Sequence, residues 1–228
     1  MSPDRAPDDW ASWTGRRTIR EDMATARLLE EYRATLSPHL FDRAAGDLCP
    51  PGFHFGLAPA IPLATELADD ASEARGIFLP PIPQPRRMWA GGLIETLAPI
   101  RIGSRVRRTS TIANIQNRMG KSGALCFVSI LHEIESDDLL AVRERQDLVF
   151  RDAGPVSETS TLPAAPLEGL RWTVAATPPL LFRFSAFTFN GHRIHYDQPY
   201  ALSEDYPGLV VHGPMQAALM LNQASAVL

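Results

Sequence analysis

The 228-residue sequence has only two cysteines, Cys49 and Cys126, far apart and without metal-ligand spacing. Neither a disulfide framework nor a zinc site is favoured by that count. No stretch approaches the roughly 20 apolar residues of a membrane-spanning helix, since even "PPLLFRFSAFTF" is short and broken by Arg183. Positive charge is not in excess either: 22 Lys+Arg face 26 Asp+Glu, for a formal net charge of -4, and there is no basic tail. A general electrostatic pull toward nucleic acid is excluded, so any anionic ligand must be met by local arginines. The six histidines form no ligand-spaced cluster and no Gly-rich phosphate loop occurs, so no metal, nicotinamide or flavin cofactor is expected. The start, "MSPDRAPDDWASW", is acidic where a secretory signal needs a basic end and then an apolar run. A cytoplasmic protein with no membrane partner is the expectation.

What is present is 45% hydrophobic content, enough for a real core, and 20 prolines. In "TIREDMATARLLEEYRATLSP", Thr18 and Glu21 have capping-box spacing. Met23, Leu28, Leu29, Tyr32 and Leu36 recur at helical spacing up to Ser37-Pro38, which predicts an amphipathic helix. A short helix is expected near Ile61 to Asp69. "GIFLPPIPQPRRMWAGG" reads either as a polyproline ligand for a partner or as a rigid connector within a domain, the commoner case. "RVRRTSTIANIQNR", "ALCFVSILHEI" and "LLAVRERQDLVF" are rich in Ile, Val, Thr and Phe and are joined by "MGKSG" and "ESDD", which predicts an antiparallel meander. The middle run is almost continuously apolar from Ala124 to Leu131, so that strand is expected to be covered on both faces. A long helix against a curved sheet follows, an α+β class.

"DAGPVSETSTLPAAPLEG", residues 152–169, has linker composition. It divides the chain into 1–151 and 170–228. The second part is too short to bury a core alone. Gly213-Pro214 fits the start of a final helix, because Pro is tolerated at the first helical position.

"FSAFTFNGHRIHYDQPYA" with "YPGLVVHGP", and "LPPIPQPRRMWAGG" in the first half, resembles the double-hotdog branch of the MaoC-like hydratases and dehydratases. Closest in appearance are the 3-methylfumaryl-CoA (mesaconyl-CoA) hydratases and the type 2 hydroxyacyl-thioester dehydratases. The resemblance implies a double hotdog, each a long central helix wrapped by antiparallel sheet, with the acyl/CoA pocket half first and the hydratase half second and incomplete at its C-terminus. It implies an acyl-CoA thioester substrate, with coenzyme A as part of that substrate, and a homo-oligomer. The family's motif places an acidic residue five positions before a histidine. Here those positions are Asn190 and His195, so the acid has become an amide, which accepts and donates hydrogen bonds but carries no proton.

The expected chemistry is addition of water to an α,β-unsaturated thioester. His195 takes the proton of water and returns it to the α-carbon on the same face, while Asn190 holds the water. Gly213, opening the helix after "HGP", offers a backbone N–H to the enolate oxygen. His192 is read as structural and His212 as a cap-region residue secondary to Gly213. Tyr196 and Asp197 are candidates to orient His195 or bind substrate, and Asp197 could supply the acid that Asn190 lacks. Arg86 and Arg87 are candidates for the CoA phosphates, and Arg193 for a carboxylate on the acyl group. Two other readings stay open, a hotdog thioesterase and a non-catalytic acyl-CoA-binding or interaction module.

Overall fold

A computed structural model describes residues 10–41, 47–120, 123–152 and 169–227. Its frame is one antiparallel sheet of β1 (Arg17–Met23), β2 (Arg86–Thr96), β3 (Arg105–Gly120), β4 (Gly123–Ser136) and β5 (Leu139–Arg151), in the order β1-β3-β4-β5-β2. The three strands of the expected meander are β3 to β5. Asp137 and Asp138 turn the chain from β4 to β5 with φ of 48° and 66°, so Ser136 pairs directly with Leu139. Two left-handed residues suit a two-residue hairpin, because their twist matches that of the flanking strands. Lys121 and Ser122 of the β3–β4 turn lie outside the described residues.

Residues predicted as the first turn of the helix are instead strand β1. Its residues alternate between exposed and half-buried, and it runs antiparallel to β3 with Thr18 opposite Ser110. Thr18 and Glu21 therefore cap nothing. The helix α1 (Ala26–Leu36) begins about two turns later, where the Thr25 side chain accepts the Leu28 N–H. Thr25 occupies the extended backbone that an N-cap needs. The rest of the helical pattern holds, since Leu29, Tyr32 and Leu36 are buried. Near Ile61 to Asp69 only a three-residue 3₁₀ turn forms, Ala64–Glu66.

The proline-dense stretch divides in two. Phe78, Leu79 and Ile82 are buried beneath β3, β4 and β5 in a cluster with Ile112, Val128, Ile130 and Phe150, as a connector inside the domain requires. From Arg86 the chain then becomes β2, an edge strand not expected from the sequence because prolines precede it and Gly91-Gly92 interrupt its apolar pattern. Strand β4 alternates between buried and half-buried residues, so it is covered more fully on one face than on the other.

After the segment read as a linker, of which residues 153–168 lie outside the described residues, come α2 (Pro178–Phe187), α3 (Gln198–Ser203) and α4 (Gly213–Ser225). Pro178 and Pro179 occupy the first turn of α2, and Pro214 that of α4, where a missing N–H breaks no helical bond. Leu181, Phe184 and Phe187 of α2 and Met215, Ala217 and Ala218 of α4 share one buried cluster with Leu29, Tyr32 and Leu36 of α1 and with Val106 and Ile134 of the sheet. The second part of the chain thus buries one apolar face of α2 and of α4 against the first half. Asn222, fully buried, fixes that contact by donating to the Pro51 and Ala218 carbonyls and accepting the Phe41 N–H. No helix among the described residues is long and apolar enough to cross a membrane.

Candidate active site

Between the sheet and the loop after α2 lies a cleft of about 920 Å³, lined by residues of both halves of the chain. The loop is built locally. Phe189 has a left-handed φ of 50° and reverses the chain at the end of α2. Asn190 Oδ1 accepts the His192 N–H at 3.0 Å and the Asn190 N–H donates to the Ser185 carbonyl at 2.8 Å. This is the turn that Asn side chains favour. A 3₁₀ turn, Arg193–His195, follows, tied to the first half through the Arg193 N–H to the Asp70 carbonyl and to the next segment through the Val210 N–H to the Ile194 carbonyl. Asp197 then caps α3 by accepting the Tyr200 N–H.

His195 is buried, and its Nδ1 lies 2.7 Å from the Val210 carbonyl. A carbonyl only accepts, so neutral His195 carries its proton on Nδ1 and keeps the lone pair on Nε2. Its pKa is lowered to about 4, chiefly by burial and in smaller part by Arg87, with the Val210 carbonyl acting in the opposite direction. His195 is therefore an unprotonated base at neutral pH. The His212 ring stacks on it with centroids 3.6 Å apart, and His192 stands edge-on at 5.5 Å. His212 Nε2 is hydrogen-bonded to Ser185 Oγ at 2.8 Å, and burial holds its pKa near 2. His192 Nε2 lies 3.6 Å from Asp70, and burial with Arg87 lowers its pKa to about 3. The three imidazoles form one neutral cluster, two stacked and one edge-on.

Several expected roles change. His192, read as structural, lines the cleft beside His195, because a 3₁₀ turn rather than an extended loop brings the two rings together. His212 is the N-cap of α4 but also the stacking partner of His195, so it belongs to the site as closely as Gly213 does. Arg193 does not line the cleft. Its Nε and Nη2 both donate to Asp197, its Nη1 donates to the Asp69 carbonyl, and it lies over the Tyr200 ring. Asp197, with one oxygen on that guanidinium and the other on the Tyr200 N–H, is held below its ordinary pKa and cannot act as an acid. Arg86 is not among the cleft-lining residues and pairs with Glu204 at 3.1 Å and Asp205 at 2.7 Å, so its charge is already met. Arg87, Asn190, Tyr196 and Gly213 do line the cleft, Tyr196 with its hydroxyl donating to the Gly191 carbonyl.

Gly213 needs a glycine for a reason other than ligand approach. A side chain there would overlap the indole of Trp89 from β2. Its N–H is in the first turn of α4, whose donors have no partner inside the helix. Gly213→Ala is expected to destabilise the protein by about 1–3 kcal/mol through overpacking. The shift of the urea midpoint measures this, and a midpoint equal to that of the wild type would rule out a rigid Trp89 contact.

No local motif marks the other wall of the cleft. Arg108, Ser110 and His132 line it from the sheet. His132 Nδ1 is hydrogen-bonded to Ser110 Oγ at 2.7 Å. Glu144, fully buried behind them, lies 3.8 Å from both Arg108 and His54. These residues meet only through strand pairing, for instance Ser110 opposite His132 and His132 opposite Glu144.

The chain matches the hydroxyacyl-thioester dehydratase type 2 family over residues 52–228. It is 43% identical over 221 residues to the mesaconyl-C(4)-CoA hydratase of Chloroflexus aurantiacus, an alignment covering 95% of this chain and 78% of that protein. It is 26% identical over 243 residues to the mitochondrial type 2 hydroxyacyl-thioester dehydratase of Schizosaccharomyces pombe, covering 92% and 80%. Among solved structures, a MaoC-like dehydratase superposes with a TM-score of 0.65 at 12% identity, over 94% of this chain and 78% of that one. HtdX of Mycobacterium tuberculosis superposes at 0.60 with 17% identity, over 93% and 77%. These structures share its α+β hotdog fold.

Proposed function

The chain belongs to the hydroxyacyl-thioester dehydratase type 2 family of MaoC-like hydratases and dehydratases, and from that premise we propose that it reversibly adds water to an α,β-unsaturated acyl-CoA with His195 as base. The observation that carries this reading is the Nδ1 to Val210 bond of 2.7 Å, which leaves an unprotonated Nε2 on a buried ring in the cleft. Nε2 takes a proton from water as its oxygen bonds to the β-carbon. The electron pair of the double bond moves through the α-carbon to the thioester oxygen, and the resulting enolate recovers the proton from imidazolium at the α-carbon. One carrier serving both steps gives syn addition.

Asn190 has its Oδ1 committed to the loop, so its Nδ2 is the group left to hold the water. The Gly213 N–H, at the positive end of α4, suits the enolate oxygen. The reaction is redox-neutral and needs no cofactor beyond the CoA that the substrate carries. The relative from Chloroflexus, a mesaconyl-C(4)-CoA hydratase by name, supports a short branched acyl group such as 3-methylfumaryl. The proposed location is the cytoplasm, a compartment that keeps cysteines such as Cys49 and Cys126 reduced. Self-association belongs to the same proposal, with Met220, exposed on α4, among the side chains it would cover.

The test is the loss of enoyl-thioester absorbance when the purified protein meets 3-methylfumaryl-CoA or crotonyl-CoA, with a thiol reagent present in a parallel run. Absorbance loss without free thiol is the expected result. Thiol release at the same rate would mean a thioesterase, and neither signal from folded protein would leave a binding module. Hydration in deuterated water giving the anti product would exclude His195 as the carrier for both steps.

A further inference from the structure

Three guanidinium groups line the cleft, those of Arg20, Arg87 and Arg108. Two are occupied. Arg20 donates to Thr18 Oγ1 and faces Glu73 at 3.9 Å, and Arg108 faces Glu144 at 3.8 Å and donates to the Leu57 carbonyl. Arg87 makes no hydrogen bond and no ion pair among the described residues. The acids nearest to it are engaged elsewhere: Asp70 accepts from both the backbone and the hydroxyl of Ser72 and faces His192, and Glu73 faces Arg20. A half-buried guanidinium with five unmet donors in a cleft is prepared for an anion.

The position of Arg87 narrows the choice of anion. It is two residues before Trp89 on β2, so both side chains project from the same face of the strand, and Trp89 lies against Gly213. It is also close enough to lower the pKa of both His195 and His192. The phosphates of CoA are separated from the thioester by the whole pantetheine arm, so a cation beside the catalytic base meets the acyl end of the substrate. We infer that Arg87 is the anchor for a carboxylate at the distal end of the acyl group, so that the site selects monothioesters of short dicarboxylic acids. This assigns Arg87 to the acyl group in place of the CoA phosphates, and it gives Arg87 the role that the sequence suggested for Arg193. Its planar fork matches a carboxylate with two parallel hydrogen bonds, which a lysine cannot reproduce.

This inference rests on the hydratase reading for the orientation of the thioester, but it is tested by binding alone. Succinyl-CoA and butyryl-CoA differ at the distal end of the acyl chain by a carboxylate against a methyl, and neither has a double bond to hydrate. Calorimetric titration of the wild type should show succinyl-CoA binding about 100-fold more tightly. Arg87→Met should bring that ratio close to one, Arg87→Lys should restore part of it, and Arg193→Ala should leave it unchanged. A melting temperature within a few degrees of the wild type confirms that each variant is folded. An Arg87→Met ratio equal to that of the wild type, or equal losses for both thioesters, overturns the assignment. If the ratio collapses while no enoyl thioester is hydrated, the anion site stands and the hydratase reading fails. If hydration occurs with the ratio intact, the reverse holds.

Discussion

His195→Ala should lower kcat for enoyl-thioester hydration by about a thousandfold, the range for loss of a positioned general base, while the saturated butyryl-CoA still binds within a few-fold. The split follows from the geometry. Removing the imidazole takes away the Nε2 lone pair but leaves the cleft walls, the Gly213 N–H and the Ser185 to His212 bond in place. His212→Ala is the discriminating comparison. His212 is 1% exposed with its Nε2 on Ser185, so it supports the His195 ring by stacking, and its loss should cost stability as well as rate. Single-turnover absorbance measurements on both variants, with urea titrations alongside, separate the two roles. A His195→Ala variant retaining a tenth of the wild-type rate would remove His195 as the base.

Acid should unfold this protein abruptly. His54, His132, His192, His195 and His212 all have pKa values lowered by burial, to about 3 for His54 and His192, about 4 for His195 and about 2 for His212. A histidine whose folded pKa lies below its unfolded value of 6.5 leaves stability intact above that value. Below it, stability is lost as the pH falls toward the folded pKa, because the unfolded chain binds the proton first. Five such groups at about 1.4 kcal/mol per pH unit each give a limiting slope of roughly 7 kcal/mol per pH unit below pH 6. Glu144 acts in the opposite direction, since burial raises its pKa and favours its protonated form, but it is one group against five. Folded domains are stable by only about 5–15 kcal/mol, so the transition should be complete near pH 5. Urea midpoints at pH 7.5, 6 and 5 measure it, and a midpoint unchanged from 7.5 to 5 would mean that these rings are charged in the folded protein.

The parts legible in the sequence were those set by local pattern. Strands β3 to β5 are runs rich in Ile, Val, Thr and Phe bounded by turn residues, and the Gly213-Pro214 helix start is encoded within two residues. The misread first turn carries a local signal that the fold does not use. Thr18 and Glu21 have the spacing of a capping box, but pairing with β3 overrides that local signal and makes the segment a strand. The same division runs through the site. Asn190 and His195 lie in one motif, whereas Trp89 meets Gly213, and Ser185 meets His212, only after the chain has folded. No spacing rule connects residues 87 and 195. Arg86 and Arg87 are adjacent and alike in sequence, yet one pairs with Glu204 and Asp205 and the other lines the cleft, a difference set by what each meets after folding.

The overlap between Trp89 and any side chain at position 213 makes those two positions a single unit of inheritance. A bulkier residue at 213 is accommodated only where position 89 has already shrunk, and a smaller residue at 89 opens a void unless 213 grows. Substitutions at the two positions should therefore be strongly non-additive, with a double variant such as Trp89→Leu with Gly213→Ala more stable than the sum of its parts. Related chains should show the pair exchanging together, large with small, across the 124 positions that separate them.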